Sequence, residues 1–248
     1  MIPKIIHYCW FGGNPLPSLA KKCINSWRKY CPDYKIKEWN ESNYDVNCCE
    51  YSRNAFSEKK WAFVSDVARY KILYEYGGFY FDTDVEIIRS LDDLLSEKAF
   101  LGIETQINES RNLNLKNCWL LNPGLAIGAE KGNQIIKNLF DDYGNRMFNV
   151  NENICDYSSE FFYHNGMISE NAHQNILGVH LFPKEYFNPM DHDTGKISVT
   201  QKTYSIHHYS ASWTSKSQRR NLKIFQLLNR FLGTKFTMML KFLYGKIH

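Results

Sequence analysis

The stretch from Trp61 to Ile88, WAFVSDVARYKILYEYGGFYFDTDVEII, limits what this chain can fold into more than any other. Ala62 to Tyr76 holds neither Pro nor Gly, and Phe63, Val67, Tyr70 and Tyr74 recur at helical spacing, which predicts a helix. Gly77 and Gly78 predict its stop, since glycine takes the left-handed conformation without a Cβ clash. Phe79-Tyr80-Phe81 then reads as a short strand covered on both faces. Asp82 and Asp84 follow at its end, and strand alternation predicts that both carboxylates point to one side with Thr83 on the other. Two hard oxygen donors at the carboxyl edge of an α/β sheet suit a divalent cation, Mg²⁺ or Mn²⁺.

A length of 248 residues allows one large α/β domain, and a hydrophobic content of 44% supplies its core. No uncharged apolar run approaches the roughly 18 residues of a membrane span. The start, MIPKIIHYCWFGG, is too short in its apolar run for a signal peptide and lacks a small-residue cleavage site. Cys9, Cys23, Cys31, Cys48, Cys49, Cys118 and Cys155 are odd in number, with no CxxC pair. They read as reduced thiols of a cytoplasmic protein rather than as zinc ligands. Ten Lys and Arg but no acid follow Asp193, so the first 193 residues carry a formal −6 against +4 for the whole chain.

Ile2–Trp10 predicts the first strand, and Phe11-Gly12-Gly13-Asn14-Pro15 the loop leaving it. Neither GxGxxG nor GxxxxGK[ST] occurs, which argues against a dinucleotide or P-loop phosphate site. Trp10, at the strand end, is placed to stack on a base. A helix capped by Ser18 runs to Tyr30, and Tyr34–Trp39 alternates as a strand, the opening of a βαβ unit. Residues 40–60 read as an irregular polar loop able to contact substrate. Further on, 90–97 reads as a short helix, 99–104 as a strand and 107–116 as a polar, mobile segment. A turn follows at Asn122-Pro123-Gly124, an amphipathic helix at 133–143, and strands at 179–182 and 197–206. His207-His208-Tyr209-Ser210-Ala211-Ser212-Trp213 follows the last strand, and a histidine there would give a metal its nitrogen ligand. In the tail, apolar residues at 224, 227, 228, 231, 232, 236, 239, 240 and 243 keep helical spacing among basic ones. This predicts a basic amphipathic helix that attaches to an anionic membrane surface. The expected division is a catalytic domain over 1–213 and a basic tail over 214–248. Nucleic acid is a poor partner for this pattern, because no reading motif accompanies the basic residues.

IPKIIHYCWFGG, FVSDVARYKILYEYGGFYFDTDVE and HHYSASW, in that order, together resemble the DxD-type sugar transferases of glycosyltransferase family 32. That family includes capsular-polysaccharide enzymes and yeast-type mannosyltransferases, and it is similar to the catalytic domain of clostridial glucosylating toxins. The resemblance implies a GT-A fold: one α/β domain with a Rossmann-like, mostly parallel central sheet flanked by helices, here followed by the amphipathic tail. It also implies a nucleotide-sugar donor (a UDP-sugar), a divalent metal, retention at the anomeric carbon, and a glycan or lipid-linked oligosaccharide as acceptor. The sugar moved would be a hexosyl or N-acetylhexosaminyl group, used in building surface polysaccharide, with the protein cytoplasmic or peripheral on the inner membrane face.

Carried over by residue, Asp82 and Asp84 match the metal- and diphosphate-holding pair. Trp10 matches an aromatic contact to the nucleoside, and Tyr80 a tyrosine near the sugar. Asp66 and Arg69 match residues bonding donor sugar and diphosphate, three apart on one helix face. His208 lies five residues before Trp213, where the toxins place an acidic metal ligand, so the implied set is Asp82, Asp84 and His208. Asn122 is a candidate donor-sugar contact, and Trp213, with Arg69, a residue closing over the diphosphate. No carboxylate stands out as a covalent nucleophile, which favours same-face attack through an ion-pair-like transition state. A second reading is a haloacid-dehalogenase-like phosphatase with Asp82 as nucleophile and Asp141-Asp142 as its second acidic pair. Against it, Glu-Ile-Ile follows the motif where Gly-Thr is expected, and the first strand and HHYSASW go unused.

Overall fold

The computed structural model describes residues 1–110, 115–191, 193–210 and 216–233. In chain order the elements are β1 (Ile5–Cys9), α1 (Ser18–Tyr30), β2 (Lys35–Trp39), α2 (Glu50–Ser57), α3 (Trp61–Tyr76), β3 (Gly78–Tyr80) and β4 (Val85–Ile87). A 3-10 turn (Asp92–Leu94), β5 (Ala99–Ser110), β6 (Leu115–Leu121), β7 (Ile127–Ala129), α4 (Gln134–Gly144) and α5 (Ile154–His164) follow. The chain continues through β8 (Gln174–Ile176), β9 (Val179–Phe182), α6 (Lys184–Phe187), β10 (Ser205–His207) and α7 (Lys216–Leu232).

The main sheet runs β2-β1-β3-β7-β5-β9-β8, with β6 paired on β5. Strands β2, β1 and β3 are mutually parallel; β7 enters antiparallel between β3 and β5, and β9 lies parallel to β5. Five strands therefore point one way and the sheet is mostly parallel in direction. Reversed β7 splits it into two halves. Strand alternation sends Phe79 and Phe81 into one core cluster and Tyr80 into the other, and separates Phe100 from Leu101 in the same way. Helices α2, α3, α4 and α5 cover one face; α1, α6 and β4 cover the other. Each fully buried Phe in this arrangement contributes roughly 1.5–3 kcal/mol over an exposed one.

Helix α3 ends as its glycines predict: Gly77 has φ 64° and its N–H closes on the Leu73 carbonyl at 2.8 Å. A Cβ there would come within 2.6 Å of the Lys131 backbone nitrogen, so the close approach of chain to chain also needs glycine. Five local expectations are corrected. Ser18 is the first helical residue rather than the cap, a position that Pro17 holds in extended backbone. The 40–60 loop contains α2, capped by the Cys49 sulfur accepting from Ser52 N–H at 3.4 Å, and a thiol is a weak cap to read in a sequence. Residues 90–97 form only a 3-10 turn. The 107–116 segment belongs in its described part to the antiparallel β5–β6 pair, whose register runs to Ser110 opposite Leu115. The 197–206 strand shrinks to β10, which pairs antiparallel with β4 in a separate two-stranded ribbon. Helix α5 was not foreseen; Asn153 caps it.

The boundary at 213/214 and the apolar positions 236–243 lie outside the described residues. The described part of the tail reaches the body, where Asn229 Nδ2 of α7 donates to the Asp193 carbonyl at 2.8 Å. No described helix is long and apolar enough to cross a membrane.

Candidate active site

Strand β3 stops at Tyr80, and Asp82 to Asp84 make a turn rather than more strand, with Val85 N–H donating to Asp82 O at 3.0 Å. Alternation therefore does not govern the pair, and each carboxylate has its own surroundings. Asp82 is fixed from the other half of the sheet, its N–H donating to Gly124 O at 2.7 Å. A Cβ on Gly124 would stand 2.1 Å from Asp82 Oδ2, so only glycine leaves that oxygen its place.

Asp82 Oδ1 accepts from Arg69 Nη2 at 3.3 Å and from the Tyr80 hydroxyl at 3.1 Å; Oδ2 accepts none of the described hydrogen bonds. Arg69 is not on a surface but 3% exposed, and its Nη2 also donates to Asp66 Oδ1 at 2.8 Å. Its Nε donates to Ser65 O at 3.3 Å, the Tyr80 ring lies 4.8 Å from its Cζ, and buried Nη1 has no partner among the described residues. A guanidinium nitrogen left bare at a buried site costs free energy unless a ligand meets it. Burial pushes the Asp66 carboxyl up to about 7 although Arg69 draws it down. Burial works against the charge of Arg69 as well, but Asp82, Tyr80 and Asp66 together hold its pKa above the ordinary value.

Asp84, 8% exposed, has a different cation. His207 Nε2 stands 3.4 Å from its Oδ1, and Ser210 N–H donates to its Oδ2 at 2.7 Å. The same imidazole reaches Glu104 Oε1 with Nδ1 at 3.6 Å, too far for a good hydrogen bond, and Nδ1 is a buried atom without one. Burial opposes both charges, yet attraction between them dominates. His207 is raised to about 10, and Asp84 is held well below the usual carboxylate range by His207 and the Ser210 N–H.

The metal-ligand expectation is corrected here. His208 turns away, its Nε2 2.8 Å from Glu86 Oε2, which also pairs with Lys22 Nζ at 2.9 Å. Neighbouring residues of β10 and its continuation face opposite sides, so His207 turns to Asp84 and His208 to Glu86.

The other expected residues divide. Tyr80 is 1% exposed and acts on Asp82 through its hydroxyl. Asn122 Nδ2 donates to Glu104 Oε1 at 2.7 Å and its Oδ1 accepts from Gly124 N–H at 2.6 Å, so this amide shapes the loop under Asp82. Trp10 leaves β1 half-buried, with Nε1 donating to Asn14 O at 2.5 Å. Beside it Gly12, at φ 91°, lies so close to Trp61 that a Cβ would meet the indole at 2.5 Å. Trp213 lies outside the described residues. Asp141 pairs with Lys137, and Asp142 with Arg146 and the Tyr157 hydroxyl, all in the α4–α5 layer. Asp141 is bound within α4 and Asp142 ties α4 to α5, away from the aspartate turn, which removes the second acidic pair that a phosphatase would need. Glu104, Gly124 and Trp61 escaped the sequence reading. A glycine in an Asn-Pro-Gly turn could have been flagged, but nothing marks a lone strand glutamate.

Among the described residues no three His, Cys, Asp or Glu side chains converge to hold a metal ion by themselves. The donor set still fits Mg²⁺ or Mn²⁺ of the substrate-completed kind, which takes one or two carboxylates plus phosphate oxygens. Asp82 offers an unbonded Oδ2 in a space that a Cβ would fill, and Asp84 a buried carboxylate held ionised.

Residues 17–101, from the approach to α1 through the aspartate turn to β5, match the family described as glycosyltransferase sugar-binding region containing DXD motif. Over these residues the chain resembles that sugar-binding region, and they lie in an α/β domain of the GT-A type. Inositol phosphoceramide mannosyltransferase 1 of Schizosaccharomyces pombe is 32% identical over 116 residues, 42% of this chain and 35% of that protein. Mannosyl phosphorylinositol ceramide synthase SUR1 of Saccharomyces cerevisiae is 36% identical over 117 residues, 46% of this chain and 30% of that protein. The chain thus spans about a third of the length of these curated relatives. The solved galactosyltransferase LgtC, in complex with donor and acceptor sugar analogs, is 12% identical with a TM-score of 0.51, over 90% of this chain and 94% of that one. At that identity the likeness is one of fold.

Proposed function

We propose that this protein transfers a sugar from a nucleotide-sugar donor, a UDP-sugar, to a hydroxyl of a glycan or lipid-linked acceptor, with retention at the anomeric carbon. The observation that carries this is the buried Arg69, shared between Asp66 and Asp82 and left with Nη1 bare beside the aspartate turn. A diphosphate or sugar hydroxyl meets that nitrogen, while Asp82 and Asp84 hold a divalent cation. Held there, a cation would supply Lewis-acid neutralisation of the charge on the departing diphosphate. Arg69 adds a fixed positive charge on the same side, in a place already dry and needing no reorganisation. The acceptor oxygen bonds to the anomeric carbon as the bond from that carbon to the phosphate oxygen breaks. The electron pair leaves with the diphosphate, which also takes the hydroxyl proton.

The mannosyltransferase names of two relatives favour a hexosyl group as cargo. Attachment of the tail to an anionic membrane at the cytoplasmic face belongs to the same proposal. It is supported by Ile224, Leu227 and Phe231, 49%, 58% and 78% exposed on α7. A thermal-shift panel of nucleotide sugars with and without Mn²⁺ tests the centre of the reading, since ligand stabilisation grows with concentration over affinity. A metal-dependent shift with one donor class, lost in Asp82→Asn, is the expected result; indifference of the folded wild type to every donor would sink it.

A further inference from the structure

Two of the seven cysteines, Cys48 and Cys49, stand side by side where the chain enters α2, and neither is fully buried. We propose that they form a reversible redox-modification site, at which a hydroperoxide oxidises the Cys48 sulfur and Cys49 resolves the product to a disulfide. Nothing in this chemistry depends on a sugar donor.

Geometry is the first support. Cys48 Sγ lies 3.1 Å from the Tyr44 hydroxyl, and burial keeps that phenol protonated, so it donates to the sulfur. Cys49 Sγ accepts from Ser52 N–H at 3.4 Å as the cap of α2, while its own S–H serves Cys48. Donors thus meet the Cys48 sulfur from two sides, and a thiolate there is solvated by the protein itself. Charge is the second support. The Cys49 thiol draws the Cys48 pKa below the ordinary thiol value; burial opposes it, and Tyr44 and Lys71 of α3 reinforce it against Asp45. Glu50 is the acid in the first turn of α2. Burial instead raises Cys9, Cys23, Cys31 and Cys155. A part-exposed thiolate next to a second thiol is what peroxide oxidises selectively.

The Cys48 thiolate attacks one oxygen of the peroxide O–O bond and becomes a sulfenic acid, and the other oxygen leaves as an alcohol or water once protonated. The Cys49 sulfur then attacks the Cys48 sulfur, and the sulfenic oxygen departs as water with the Cys49 proton. Two thiols lose two electrons and the peroxide gains them. Neighbouring Cα atoms are about 3.8 Å apart across a trans peptide, short of the roughly 4.4–6.8 Å usual for a disulfide, so the closed ring is strained and a dithiol reopens it. Closure takes Cys49 from its cap on α2 and Cys48 from Tyr44. The Tyr44 ring packs edge-on against Phe11 at 5.8 Å, so the change reaches the loop that leaves β1.

Trypsin leaves both sulfurs in one peptide, 38–53, which holds no other cysteine. After hydrogen peroxide that peptide should be lighter by two hydrogens and closed to iodoacetamide, and dithiothreitol should reverse both changes. In Cys49→Ser the reaction should stop at a sulfenic acid on Cys48, trapped by dimedone. In the folded wild type near neutral pH, iodoacetamide should modify Cys48 at least roughly 10-fold faster than Cys155, an advantage that urea removes. Tyr44→Phe, which keeps the ring against Phe11, should move the half-point of Cys48 alkylation to higher pH and slow its oxidation. The oxidised wild type should melt below the reduced protein, with no such change on peroxide treatment of Cys48→Ser. Alkylation of Cys48 no faster than Cys155, or a 38–53 peptide that keeps both thiols after peroxide, overturns the site. A bond from Cys48 to any cysteine other than Cys49 overturns the resolving role. A melting point indifferent to the formed disulfide overturns the coupling to the loop.

Discussion

The two aspartates of the turn are each held by one buried cation that also faces a second carboxylate. On one side the chain of charges is Asp66–Arg69–Asp82; on the other it is Glu104–His207–Asp84. The first is assembled from residues 66 to 82, a helix and the strand that follows it. The second draws on β5, the turn and β10, whose His207 lies more than 100 residues from both Glu104 and Asp84. Arginine keeps its charge at any working pH, whereas imidazole can give up its proton. The Arg69 side thus carries a fixed positive charge, whereas the charge on the His207 side depends on a proton. The charged cluster combines a locally encoded half with a half closed only by tertiary packing.

Breaking the Arg69 half should have the largest effect. Arg69→Ala leaves Asp66 and Asp82 uncompensated and should cost roughly 3–5 kcal/mol in urea unfolding, the usual range for one partner removed from a buried pair. Arg69→Lys, which cannot bridge two carboxylates with a planar fork, should regain only part of that and still lose donor affinity in the thermal-shift panel. Recovery of full donor binding by lysine would reduce Arg69 to a mere charge.

The two histidines sharpen the contrast next. His207→Gln should weaken metal-dependent donor binding by 10-fold or more, read from Mn²⁺ titrations of the thermal shift. His208→Gln breaks a partly exposed pair with Glu86 and should change stability by under about 1 kcal/mol, with donor binding intact. The opposite ranking would restore the assignment made from sequence.

Gly124→Ala probes how the two halves meet. The added Cβ would stand 2.1 Å from Asp82 Oδ2, so the side chain must move off its place. Destabilisation of about 1–3 kcal/mol is expected from such overpacking, with a larger loss in turnover than in folding. The smallest effect concerns pH. Asp66 titrates near 7 in the folded protein against an ordinary 3.8, so folding favours its protonated form. Its contribution is fully present below about pH 4 and is lost as pH rises through 7. Asp66→Asn cannot ionise. The difference in Tm, variant minus wild type, should therefore grow from pH 4 to 7 and level off above; a flat difference would mean that Arg69 keeps Asp66 ionised throughout.

The α3–β3 unit was legible because its causes are local. Fifteen residues without Gly or Pro, two glycines and an aromatic triplet set helix, stop and strand, and they carry Asp66 and Arg69 to the same edge as Asp82. The aspartate turn itself was misread as strand, since alternation holds only while the ladder continues and here it ends at Tyr80. Helix α2 was hidden by its thiol cap, and the length of the β5–β6 pair by polar residues whose partners lie across the hairpin. Of the histidine pair, the sequence shows that one can serve, but not which. That choice follows from β10 lying antiparallel on β4, with His207 opposite Val85.

What the chain determined alone was everything within reach of its own neighbours: the α/β order, the stop at Gly77, and the run from Asp66 to Asp84 that resembles a sugar-binding region. What only the tertiary structure decided was which distant groups share a charge. Arg69 sinks out of solvent, His207 rather than His208 faces Asp84, and Glu104 comes up to the other side of the same imidazole. The physical reason is range. Backbone conformation responds to residues a few positions away, whereas the free energy of a buried charge depends on every group brought near it, whatever its place in the chain.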